Sequence, residues 1–255
     1  MYNTYDIVYS LGDSCGCPSF LDDAGLRSFA GPFDWVGNVN GLYESFAFMM
    51  NGFADFLNFE DFKVRTAPKP VDPRYHAYDN ARTDFIFIHD FPKEIPMTES
   101  FADVKKKYER RIERFYKTIR DKKRVLLVWC SYTFNHNTSD EDVIRLCGEF
   151  CNKMNKTIDF LIIEHTEGLY QPLKRQIADN IARYNLHALA KNPDGADAWL
   201  GNQELLHPIF AAYKLRVPWH IKILKPLIEA AAVVAITKKG RRALRNRLFG
   251  MLGIK

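Results

Sequence analysis

The chain has 255 residues, 47% of them hydrophobic and 26% charged, with a net charge of +5. That balance is ordinary for a globular protein and excludes disordered, collagen-like and disulfide-scaffold chains. A chain of this length buries roughly 75% of its unfolded surface, so it needs no cross-links to fold.

The cysteines are Cys15, Cys17, Cys130, Cys147 and Cys151, an odd set with no CxxC pair. That usage points to a reducing compartment and away from a zinc or dithiol motif. Cys147 and Cys151, four apart, read as buried inert thiols on a helix. The opening Met-Tyr-Asn-Thr-Tyr-Asp has neither a basic nor an apolar leader region. No run reaches the roughly 18 apolar residues of a membrane span, and the longest, Leu227 to Thr237, contains Glu229. The expectation is a cytoplasmic protein with no cofactor and no metal; oligomeric state is not legible.

The predicted elements begin with a buried strand, Tyr5 to Leu11, ending at Gly12. A helix starting near Pro18 follows. Residues from Gly31 to Asp79 are irregular and aromatic, with a helix near Val39–Asn51 and a proline-rich loop at Ala67–Pro73. A second strand is expected at Asp84–His89. Val104, Tyr108, Ile112, Phe115 and Ile119 recur at helical spacing, so residues 100–121 form an amphipathic helix capped by Ser100 or Thr98. A third strand lies at Arg124–Cys130. The next helix begins near Ser139 with Asp140, Glu141 and Asp142 in its first turn, where the dipole favours acids. A fourth strand covers Thr157–Glu164, and a weaker one Tyr184–Leu189.

Near-continuous apolar strands alternating with helices predict a doubly wound α/β domain, its sheet mostly parallel with helices on both faces. This domain spans residues 1–217. Residues 218–255 read as an amphipathic basic helical tail. Nine Lys and Arg from Lys222 to Lys255 face only Glu229, a net of +8, which leaves −3 for the preceding 221 residues. Such a tail suits peripheral contact with an anionic membrane at its inner face. A base-reading module is missing, so nucleic acid is not an expected partner.

Chemistry is expected past the first strand, at Ser10-Leu-Gly-Asp-Ser-Cys-Gly-Cys-Pro18. In an open α/β sheet the ligand crevice lies beyond the strands' carboxyl ends. Gly12 and Gly16 permit a tight turn there. A cysteine just before a helix gains thiolate character from the dipole, and nearby amides can receive an oxyanion. Cys15 is therefore the candidate nucleophile, and His89, ending the second strand, the candidate base. Asp34, on a separate loop, is the candidate third member. Gly12, Asp13, Ser14, Asp90 and Arg27 are assigned to substrate binding.

Ser10-Leu-Gly-x-x-Cys15, Gly25-Leu-Arg27, Gly31-Pro-Phe-Asp-Trp35, Phe53-x-x-Phe56, His89-Asp-Phe91 and Arg110-Arg-Ile-x-Arg-Phe115 occur in that order. Over about residues 5 to 165 this resembles an uncharacterised bacterial family labelled as papain-like cysteine peptidases. The resemblance implies Cys15 as nucleophile and His89 as base, with an acid or amide orienting the histidine, and a peptide or other small-molecule substrate. The resemblance extends to members that belong with cell-surface polysaccharide genes, which implies a sugar- or phosphosugar-directed binding or transfer role as an alternative. Arg27, Arg110, Arg111 and Arg114 would then hold an anionic substrate, although the three helix arginines read first as a solvated face. A third alternative takes Gly12-Asp13-Ser14 as the nucleophile block of an SGNH-like esterase, with Glu204-Leu-Leu-His207 supplying the histidine.

Overall fold

The computed structural model describes residues 1–66, 72–132 and 138–216. The chain divides into two units, Met1–Lys214 and Leu215–Lys255. Nearly all of the second unit, and with it the expected basic tail and its membrane contact, lies outside the described residues, as do residues 67–71 of the proline-rich loop.

The first unit opens with β1 (Thr4–Tyr5), β2 (Ile7–Gly12), α1 (Gly16–Asp23), β3 (Val36–Asn38) and α2 (Leu42–Asn51). Then come β4 (Phe62–Val64), β5 (Tyr75–Asn80), β6 (Phe85–Pro92), α3 (Met97–Asp121) and β7 (Val125–Ser131). The last group is α4 (Asp140–Met154), β8 (Asp159–His165), β9 (Leu173–Ala178), β10 (Ile181–Leu186) and α5 (Gln203–Ala211).

Two main sheets form. The first has the order β2-β7-β8-β10-β9. Its first four strands pair in parallel and β9 closes the edge antiparallel to β10. The second has the order β3-β6-β5-β4 and is antiparallel throughout. This corrects the single doubly wound sheet expected from the sequence. The strand at residues 84–92 does not join the parallel sheet. It pairs with two short strands, Val36-Gly-Asn38 and Tyr75–Asn80, too brief or too polar to carry a strand signal of their own. β9, Leu-Lys-Arg-Gln-Ile-Ala, was equally silent. It is an edge strand, and charges suit an edge because they discourage pairing with other chains.

One aromatic core joins the two sheets. Ile7, Tyr9 and Leu11 of β2, Leu127 and Trp129 of β7, and Phe160 and Ile162 of β8 share it with Phe46, Phe115 and Phe150 of the helices. Phe62, Tyr78, Phe85, Phe87 and Phe91 of the antiparallel sheet belong to the same cluster. Strand alternation turns Val8, Leu126 and Val128 the other way, and these are buried too. On that side α1 packs on β2, β7 and α5, and Phe20 stacks on Phe210 at 5.1 Å.

The helix ends follow elementary capping rules. Ser139 caps α4, its hydroxyl accepting the Asp142 N–H at 3.1 Å. α3 starts earlier than expected, at Met97 after Pro96, and Ser100 bonds back to the Pro96 carbonyl at 3.2 Å. At its far end Lys156 donates to the carbonyls of Ile119 (2.9 Å), Arg120 (3.2 Å) and Lys122. A cation on the last carbonyls of a helix satisfies acceptors and complements the dipole. Lys156→Met is expected to lower unfolding free energy by about 1 kcal/mol; an unchanged urea midpoint would show that the contact contributes nothing. Among the described residues, no helix is long and apolar enough to cross a membrane.

Candidate functional site

The carboxyl end of β2 is held by buried polar groups. The Gly12 N–H donates to the Ser10 hydroxyl at 3.1 Å. Asp13 donates its N–H to the Cys130 carbonyl (3.1 Å) and accepts the Asn38 N–H (2.7 Å), which ties β3 to the end of β2. Asn38 and Ser45 complete the tie, Ser45 donating to the Leu11 carbonyl at 2.8 Å. The Asp13 carboxylate is fully buried and accepts the Ser131 hydroxyl at 3.0 Å. Its place is structural support beneath the turn.

Cys15 occupies the N-cap position of α1 and makes no side-chain capping bond. Its thiol is pushed up to about 12, chiefly by burial, with the negative charges of Asp90, Asp34 and Asp13 adding to it. A hydrogen bond from its own backbone amide opposes the rise and is outweighed. The dipole effect anticipated from sequence is thus overridden by burial and three nearby carboxylates. Two positions on, Cys17 is fully buried with its thiol against the Val128 carbonyl at 3.5 Å. It is a core residue.

Asp34 is 2% exposed and pairs with Arg27, Nε to Oδ2 2.7 Å. Burial raises its carboxyl; Arg27 and Arg111 pull the other way. The Arg27 guanidinium also lies 5.3 Å from the centre of the Trp35 ring. Trp35 has φ +69°, a left-handed conformation unusual for a bulky residue, and its ring meets the edge of His89 at 6.1 Å.

β6 explains how His89 and Asp90 diverge. Tyr78 pairs with Phe87 and His76 with Phe91, so β6 bulges between those pairs. The bulge breaks simple alternation and buries both Asp90 and Phe91. Asp90 turns inward, where it pairs with Lys107 and accepts the Tyr108 hydroxyl at 2.9 Å. His89 remains 30% exposed, its Nδ1 3.7 Å from Asp72 and its ring edge-on to Tyr75 at 6.2 Å. Asp72, at the border of the proline-rich loop, is the carboxylate that faces His89; sequence reasoning had assigned that place to Asp34. Hydrogen bonds from Arg74 hold Asp72 below the usual carboxylate range. No spacing in the sequence connects residues 72 and 89, and only the β5–β6 pairing brings them together.

The arginines also separate. Arg110 is exposed. Arg114 donates to the Ala30 carbonyl at 2.8 Å and lies over Phe29, while Arg111 lies over Tyr108. Arg114 thus braces the 26–35 loop, and neither it nor Arg111 is fully solvated. His207 packs edge-on against Phe20 in the second turn of α1, at 5.1 Å. Glu204 pairs with Lys191 at 2.5 Å. Ser14 precedes the first turn of α1, and His207 meets its second.

Among the described residues, His165, Glu167 and His187 bring potential metal-ligand atoms within 4.8 Å of one another. Their hydrogen bonds argue for another role. His165 Nδ1 accepts the Ala188 N–H at 3.0 Å, which leaves its Nε2 as the donor to Glu167 at 3.2 Å. His187 Nδ1 accepts the Gly168 N–H at 3.1 Å. A neutral imidazole has one acceptor nitrogen, and each is already engaged by a backbone amide. The trio braces the ends of β8 and β10.

Cys15 thus stands at the start of α1 and His89 on the antiparallel sheet, not on the parallel sheet expected from the sequence. Residues 6–168 match the family described as "Putative papain-like cysteine peptidase (DUF1796)", and the chain belongs to that family. It is also 28% identical over 175 residues to "Uncharacterized protein R408" of Acanthamoeba polyphaga mimivirus, covering 62% of this chain and 77% of that protein. No solved structure matches the chain.

Proposed function

We propose that the protein is a cysteine hydrolase or acyltransferase with Cys15 as nucleophile and His89 as base. One observation carries this reading. Asp34, whose charge reaches the Cys15 thiol, pairs with Arg27 at 2.7 Å, Arg27 lies over Trp35, and the Trp35 ring meets His89 at 6.1 Å, so one run of contacts leads from the surroundings of the thiol to the imidazole. Because burial and carboxylates keep the thiol protonated, its proton must leave as sulfur attacks. His89 accepts that proton while sulfur bonds to the acyl carbon; the imidazolium then protonates the leaving group, giving a thioester that water or an acceptor cleaves. Asp72 faces the imidazole, and Arg27 pairs with Asp34, whose charge reaches the thiol. The first-turn amides of α1 are the natural oxyanion donors, since a helix leaves them without intrahelical partners.

The test is acylation by p-nitrophenyl acetate. An acetyl adduct mapping to Cys15 is expected, absent in Cys15→Ala and formed roughly a hundredfold to ten-thousandfold more slowly in His89→Gln. An adduct on any other residue, or a His89→Gln rate equal to wild type, would sink the assignment.

A further inference from the structure

We propose that Tyr132 is a positioning residue for Cys15, its hydroxyl fixing the first turn of α1; this rests on the reading of Cys15 as nucleophile. Tyr132 follows β7 directly and is 3% exposed. Its hydroxyl donates to the Trp199 carbonyl at 2.9 Å.

A Cβ built on Gly16, the residue after Cys15, would lie 1.7 Å from the Tyr132 oxygen, so the hydroxyl fills the space that a side chain would need. Gly201, at φ +69°, also gives this ring room: a Cβ there would sit 3.1 Å from the tyrosine ring and 2.4 Å from the Ala188 carbonyl. Two glycines thus make way for one tyrosine, and its oxygen lies against Gly16, the residue after Cys15. The segment it is anchored to is itself tied down, because the Asn202 N–H donates to the Ala188 carbonyl at 2.7 Å.

The consequence is local. An oxyanion site needs its amides held to within a few tenths of an ångström, and here the rigid ring of Tyr132 supplies that restraint. Tyr132→Phe removes only the anchoring oxygen, so the ring and its packing remain.

Two measurements decide the matter. In Tyr132→Phe, amide exchange in the peptide covering residues 14–19 is expected to speed up roughly tenfold, while β7 and β8 keep wild-type protection. In the p-nitrophenyl acetate assay kcat is expected to fall roughly tenfold with KM unchanged, as for an interaction that matters only in the transition state. Unchanged exchange at residues 14–19 overturns the proposal. So does faster exchange spread evenly over β7 and β8, which would mark a general stabiliser, and so does an unchanged kcat. If wild-type protein forms no acetyl adduct, the reading of Cys15 itself fails, an outcome distinct from a wild type that acylates and a Tyr132→Phe variant that matches it.

Discussion

Iodoacetamide will alkylate Cys15 at pH 7 about three orders of magnitude more slowly than an exposed free cysteine. The thiolate is the reacting species, and a free thiol ionises near pH 8.5. In this protein the Cys15 thiol is pushed up to about 12 by burial and by Asp90, Asp34 and Asp13. The labelling rate should therefore keep rising tenfold per pH unit well beyond pH 9. A plateau near pH 6 or 7 would reveal a thiolate–imidazolium pair at rest and overturn the coupled proton transfer proposed above.

The same burial makes stability fall in alkali. Cys17, Cys130 and Cys147 are buried with thiols raised by desolvation. A raised folded value means that the unfolded chain loses its protons first. Stability is then full below about pH 8.5 and declines as pH rises towards the folded values, by about 1.4 kcal/mol per pH unit for each such thiol. Urea midpoints at pH 8 and pH 10 would check the sign.

The second large effect concerns Arg183, whose side chain is 6% exposed. It pairs with Asp140 and with Glu164, which is fully buried, and it donates to the Thr138 carbonyl at 2.5 Å. Arg183→Met should lower unfolding free energy by about 3–5 kcal/mol, because it leaves the Glu164 carboxylate in the interior without its cation. Asp140 would retain Arg175. Adding Glu164→Gln removes the stranded charge while keeping an acceptor for the Thr138 N–H, which Glu164 now bonds at 3.2 Å. A large part of the loss should return. If the double variant is as unstable as Arg183→Met, the uncompensated charge is not the cause.

Much of the architecture was legible in local pattern. Continuous apolar runs placed β2, β7 and β8 to within about two residues, because strands covered on both faces must be apolar at every position. The periodicity of Val104, Tyr108, Phe115 and Ile119 fixed α3, and Ser139 with its following acids fixed α4. The weaker strand expected from Tyr184 is β10, shifted three residues earlier.

What failed is equally physical. The antiparallel sheet is made of short or polar strands whose burial comes from the aromatic core that they meet in three dimensions, not from their own composition. Without it the strand at His89 looked like one more parallel strand.

At the site, the turn after β2 and the placement of Cys15 before a helix followed from the sequence, since glycines, proline and an apolar strand act over a few residues. The state of the thiol did not. The dipole is a property of α1 alone and favours ionisation; desolvation and the charges of Asp34 and Asp90 come from segments far along the chain, and these prevail. Asp72 beside His89, and Tyr132 between Gly16 and Gly201, likewise depend on strand pairing and close approach, for which the sequence carries no local signal. Cys15 could be found from its neighbours in the chain; whether and how it can react is decided by its neighbours in space.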